Sequence, residues 1–195
     1  MRNFCVDVET LGTESTAVIL PAALIPFELN EKPVYEELLE RAIFVKFDVE
    51  QQLRELHRTA EQSTMEWWQK QCDLVKDKSF KKDKKRDVDA ATGLTYLKNK
   101  AELSLIAKEN KDVIFWSRGS LDQVTIDSLS KQVHNELVIP FNNWRDVRTA
   151  VDLLCEGASG GYCAVTGFNR DVVLKHDPVA DCAYDIMMLL ANNRV

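Results

Sequence analysis

No two of the five cysteines, Cys5, Cys72, Cys155, Cys163 and Cys182, stand in a CxxC spacing. An odd, scattered set excludes a disulfide framework and a thiolate zinc site, and reads as reduced thiols of a cytosolic protein. Long apolar runs are lacking too. The longest, Ala17 to Phe27, contains Pro21 and Pro26. It is too short to span a membrane, and nothing reads as a secretory signal. An excess of positive charge is also missing: 25 Lys and Arg face 31 Asp and Glu, a net charge of −6. That excludes a chain that coats polyanions through bulk charge, but not one with a local basic groove beside an acidic site. Glycine is sparse, and four of the seven (Gly157, Gly160, Gly161, Gly167) fall between Glu156 and Asp171. That segment is expected to be a flexible loop.

What remains is a soluble globular composition, 45% hydrophobic and 29% charged over 195 residues, which predicts one domain spanning 1–195. Phe4, Val6 and Val8 alternate with Cys5, Asp7 and Glu9 before Gly12, the period of a strand followed by a turn. Asp7 and Glu9 therefore share a face. Like charges so placed call for a hard divalent cation between them; a solvated edge strand is the plainer alternative. Thr16 to Leu29 and Arg41 to Phe47 predict two more strands, the three forming an antiparallel meander with short connections.

Asp48-x-x-Gln51 and Ser63-x-x-Glu66 have capping-box spacing, so helices are expected after each. Of Trp67 and Trp68, one is expected in the core and the other partly exposed, with base stacking as the alternative. Lys76 to Arg86, with seven basic residues and two Asp, reads as a solvated loop or as a phosphate-contacting arm. A helix is expected to open at Asp87, with a further helical stretch to about Lys108. Val113 to Trp116 predicts a buried strand parallel to the first. The box Ser120-x-x-Gln123 then places Asp122 in the first turn of a helix beyond that strand's carboxyl end. Taken alone, Asp122 reads more simply as complementing the helix dipole. A further helix is expected from Trp144.

In the last element, Asp177 and Pro178 predict an N-cap and a first helical residue. His176 then lies just outside the helix and Asp181 in its first turn. The helix continues through Ile186 to Ala191, apolar nearly all round, and so completes a core or forms an interface. A dimer follows from the second reading. A loop imidazole five residues before a fixed carboxylate suits a general base beside a metal ligand; a cap or surface residue is the plainer reading.

Asp7-x-Glu9, then Asp122, then His176-x4-Asp181, in that order, resemble the DEDDh family of 3′→5′ exonucleases. Asp7-Val8-Glu9-Thr10-Leu11-Gly12, Glu66-Trp67-Trp68, Arg145 to Thr149 and Asp181-Cys182-Ala183 with Asp185 are similar to its phage exonuclease A (DexA) type. A related bacterial exoribonuclease group shares these motifs. The resemblance implies an α/β, ribonuclease-H-like fold whose mixed central sheet combines an antiparallel meander with parallel strands, flanked by helices. It implies two Mg²⁺ or Mn²⁺ ions held by Asp7, Glu9, Asp122 and Asp181, with His176 as the base. It implies a terminal nucleotide held by Thr10, Leu11 and Gly12, with Leu11 wedged against the last base. Asp185, one helical turn beyond Asp181, is expected to support the ligands, and Asp146 and Arg148 to support them or contact phosphate. The implied substrate is the 3′ end of single-stranded DNA, with RNA, or an inactive end-binding module, as alternatives. The implied setting is the cytoplasm, the host's if the chain is phage-encoded.

Overall fold

The computed structural model describes residues 2–83, 86–103 and 112–191. Strand β1 (Arg2–Thr10) pairs antiparallel with β2 (Ile19–Phe27), and β2 pairs antiparallel with β3 (Ile43–Phe47). On the other side of β1, β5 (Val113–Ser117) and β6 (Trp144–Asp146) run parallel to it. β4 (Asp87–Val88) closes the far edge beside β3, so the order is β4-β3-β2-β1-β5-β6. This is the expected mixed sheet, an antiparallel meander joined to parallel strands and flanked by helices.

The alternation along β1 sorts the core into two layers. Phe4, Val6 and Val8 pack with Ala22, Leu24 and Val45 against α5 (Ala90–Lys100) and α6 (Leu121–His134). Cys5 lies on the opposite face with Ala23, Ile25 and Phe27. That face is covered by α1 (Tyr35–Glu40), α7 (Val147–Leu154) and α8 (Pro178–Leu189). Asp7 and Glu9, in phase with Cys5, are thereby directed to the α8 side. The apolar surface of α8 is covered within the chain, against β1, β2, α1 and α7. A smaller cluster of Leu11, Val18, Leu20, Trp68 and Val75 lies under α3 (Gln62–Gln69) and α4 (Asp73–Phe80). No helix among the described residues is long and apolar enough to cross a membrane, and the cysteines are all free.

Several local expectations are corrected. The connection from β2 to β3 is not short, because α1 folds within it. The meander starts its third strand at Ile43, since Arg41 caps α1. Asp87 opens no helix: it pairs in β4 and its carboxylate faces Lys46 at 3.5 Å, while Asp89 accepts from the Thr92 N–H and caps α5. Ser63 lies inside α3, whose N-cap is Glu61, pinned by its N–H to the Leu11 carbonyl at 2.7 Å. Asp48 does cap the short α2 (Val49–Arg54), by accepting from the Gln51 N–H. Half of the basic stretch is helical, because Val75 and Ser79 bury one side of α4. Trp144 starts strand β6, and the helix begins after Asp146. The helical stretch expected to Lys108 falls outside the described residues.

Candidate active site

Parallel pairing brings the carboxyl ends of β1 and β5 side by side, and three elements converge there. β1 contributes Asp7 and Glu9. The first turn of α6 contributes Asp122, buried, whose Oδ1 accepts from the Val8 N–H at 3.3 Å. This hydrogen bond ties the helix directly to the strand between the two β1 acids. Ser120 stands at the N-cap without a side-chain hydrogen bond. The neighbouring Gly119 N–H instead donates to Asp146 Oδ1 at 2.9 Å.

α8 contributes Asp181. Asp177 caps the helix by accepting from the Val179 N–H, with Pro178 next, as expected. Lys78 of α4 forms an ion pair with the buried Asp177. His176 adopts a left-handed backbone, φ 64°. Its N–H donates to Asp181 Oδ2 at 2.8 Å, and its ring meets Trp67 edge-on, centroids 4.6 Å apart. Donor atoms of Glu9, His176 and Asp181 all lie within 4.8 Å of one another. The structure thus brings together residues from three distant parts of the sequence.

The electrostatics is that of an acid cluster short of cations. Asp7 is held well above the carboxylate range, first by desolvation and then by Asp122, Glu9, Asp181 and Asp185. Glu9 is raised well above its usual value in the same way, with Asp181 the first facing charge. Asp122 and Asp181 are each pushed up to about 7, mainly by desolvation. His176 is lowered, by desolvation and by Lys175. All four acids offer hard oxygen donors, the set that suits Mg²⁺ or Mn²⁺, and a bound cation would offset their repulsion.

The supporting residues separate by what they touch. Asp185, one turn beyond Asp181, is held by Arg118, whose Nε and Nη2 donate to Oδ1 at 2.9 and 2.6 Å. Arg118 also donates to the Gly161 carbonyl at 2.9 Å and lies 4.2 Å over the Tyr162 ring. Sequence reasoning missed Arg118; its place just after β5 was the available signal. Asp146 caps α7 by accepting from the Thr149 N–H at 2.9 Å, and so anchors that helix to the turn before α6. The exposed Arg148 passes beside Gly161, where an added Cβ would come within 2.7 Å of the Arg148 Cα.

Thr10 is buried, its hydroxyl donating to the Gly12 carbonyl at 2.7 Å and its own carbonyl accepting from Trp68 Nε1 at 2.9 Å. Leu11 is buried in one cluster with Trp68 and Val75. Gly12 sits against the Glu61 carboxylate, which accepts from the Thr13 N–H at 2.8 Å. The tryptophans divide as expected, Trp68 in the core and Trp67 exposed.

A family model described as a 3′-5′ exoribonuclease Rv2179c-like domain matches residues 2–191. The exodeoxyribonuclease of Enterobacteria phage T4 is 29% identical over 205 residues, covering 97% of this chain and 88% of the phage protein. Among solved structures, the moderately thermophilic exonuclease I of Methylocaldum szegediense matches with a TM-score of 0.43 and 14% identity. The match covers 85% of this chain but only 32% of that one, so this chain spans about a third of its length.

Proposed function

The chain belongs to the 3′-5′ exoribonuclease Rv2179c-like domain family, and from that premise we propose a metal-dependent 3′→5′ exonuclease that releases mononucleotides from single-stranded DNA. The observation that carries this reading is the convergence of Glu9, Asp122, Asp181 and His176 at the end of β1, in an acid cluster that burial and mutual repulsion make a cation sink. Relatives point two ways on the sugar, one described as an exoribonuclease and one as an exodeoxyribonuclease. Both matches run along nearly the whole chain; the phage protein's named activity carries the DNA reading, and the family description carries RNA as the second.

In this mechanism Asp7, Glu9, Asp122 and Asp181 would hold two Mg²⁺ or Mn²⁺ ions. When bound, these ions supply charge stabilisation at the phosphoryl oxygens and acidify water. The His176 ring accepts the proton of the attacking water at a nitrogen. The phosphorus–O3′ bond breaks, the freed O3′ takes up a proton, and the terminal residue leaves as a 5′-mononucleotide. Asp181 accepts from the His176 N–H and so fixes the imidazole's backbone beside it. Thr10, Leu11 and Gly12 would border the terminal nucleotide. Residues 1–195 act here as one exonuclease domain in the cytoplasm.

The test is digestion of end-labelled DNA and RNA oligomers of one sequence. Mg²⁺ should support loss of single nucleotides from the 3′ end, EDTA should stop it, and Asp122→Ala should abolish it. Cutting of a circular strand, or degradation past a blocked 3′ end, would refute the proposed polarity.

A further inference from the structure

The mechanism leaves most of the basic stretch without a task. Lys81, Lys82 and Arg86 line a cleft of about 770 Å³ together with Lys46 and Phe44 of β3 and Tyr96 of α5. In a chain of net charge −6, five cations face three carboxylates along this cleft. Lys46 is buried and bonded to the Lys81 carbonyl and to Asp87, so it braces the floor. Lys81, Lys82 and Arg86 are exposed, and the surface ion pairs of Lys82 with Glu50 at 2.7 Å and of Arg86 with Asp83 at 3.6 Å are ones that a phosphate can displace. Phe44 and Tyr96 are 41% and 43% exposed, presenting aromatic surface to the cleft. Isolated cations on a surface read as solvation, but cations interleaved with open aromatic rings in one groove are what a single-stranded nucleic acid requires: charge for phosphates and ring faces for bases.

The register places the Phe44 wall of this cleft on the site's own face of the sheet, while Val45 and Tyr96 of α5 line it from the other side of the β3–β4 edge. Asp7 is opposite Ala23, and Ala23 is opposite Phe44. Directly opposed residues project to the same side, so Asp7 and Phe44 share a face two strands, about 10 Å, apart. Asp177 and Val179, at the start of the helix that carries Asp181, also line the cleft. A chain whose last nucleotide lies at the carboxylates thus has this cleft within reach.

We propose that this cleft holds the single strand upstream of the terminal nucleotide, with bases stacked on Phe44 and Tyr96 and phosphates facing Lys81, Lys82 and Arg86. The assignment rests on the carboxylate site being the place of cleavage, and it makes the enzyme's affinity depend on strand length.

Binding of labelled single-stranded oligomers, short and long, followed by fluorescence anisotropy in EDTA, isolates the cleft, because hydrolysis is stopped and the acid site attracts no phosphate. The longer oligomer should bind more tightly to the wild type. The combined Lys81→Gln, Lys82→Gln and Arg86→Gln variant should weaken it at least tenfold and flatten the salt dependence by about 0.7 per lost phosphate contact. Tyr96→Ala should weaken binding by about tenfold with the salt slope unchanged. All these variants should hydrolyse a nucleoside 5′-(p-nitrophenyl phosphate), which occupies the carboxylate site alone, at the wild-type rate. Length-independent binding, or wild-type binding by both variants, would overturn the cleft assignment. Cleft-dependent binding by a wild type that hydrolyses neither oligomer nor ester would instead strike the cleavage reading and keep the cleft as a strand-binding surface.

Discussion

Each carboxylate at the end of β1 raises the cost of ionising its neighbours, and among the described residues Arg118 forms its ion pair with Asp185, one turn beyond Asp181. Both members of that pair are largely buried. Removing one partner of a buried pair strands a charge at a cost of about 3–5 kcal/mol. Arg118→Met is accordingly expected to lower stability in urea unfolding by that order, and Arg118→Met with Asp185→Leu to recover most of it. His176 makes a different prediction. As the base, its replacement by Ala should slow hydrolysis by roughly 10²–10⁴-fold while calorimetry shows Mg²⁺ binding retained. The base must be neutral to act, so the rate should rise with pH through the His176 pKa. Desolvation and Lys175 lower that pKa, so the inflection belongs below the ordinary histidine value and should vanish in the variant. An unaltered pH profile in His176→Ala would return this residue to a capping role.

Elements position these residues through their ends. The site is assembled at the carboxyl end of β1 and at the starts of α6 and α8, and the connections between them are fastened across the fold. Arg118 reaches the Gly161 carbonyl, and the Gly161 N–H donates to Asp152 of α7 at 2.8 Å. Gly161 has φ +78°, and a Cβ there would strike the Arg148 backbone at 2.7 Å. Gly161→Ala therefore combines a left-handed penalty of about 1–3 kcal/mol with a displaced loop, and should lower both Tm and activity. Gly157, at φ +76° with nothing within 4 Å of an added Cβ, is the control. Gly157→Ala should carry the backbone cost alone and leave activity unchanged. Equal losses of activity in the two variants would disprove the role given to the Gly161 contacts.

Over the whole molecule, the acid cluster makes stability depend on pH and on cations together. Asp122 and Asp181 are raised to about 7, whereas an unfolded Asp titrates near about 3.9. Between those values the folded chain holds more protons than the unfolded one, so stability falls as pH rises through the window and levels off above it. In EDTA, Tm should decline from pH 5 to pH 8. Mg²⁺ competes with those protons, so it should raise Tm more at pH 8 than at pH 5. Asp122→Asn should flatten the EDTA profile; a profile as steep as the wild type's would show that other groups set it.

The sequence by itself determined the face that Asp7 and Glu9 share, because strand alternation is local, and the cap of α8, because Asp177 and Pro178 meet a local need for an acceptor and a fixed φ. It also determined the order of β1, β2, β3 and β5, since each is a run whose apolar period needs no partner to be read. Only the tertiary structure decided that Asp122 is hydrogen-bonded to β1, that Arg118 balances Asp185, and that Leu11 is covered by Trp68. It also decided that Asp87 pairs as a strand instead of starting a helix. These contacts join residues up to more than a hundred positions apart. Their energies come from burial, hydrogen bonding and charge at sites that exist only once the sheet and helices have packed, so no local period or motif could have encoded them.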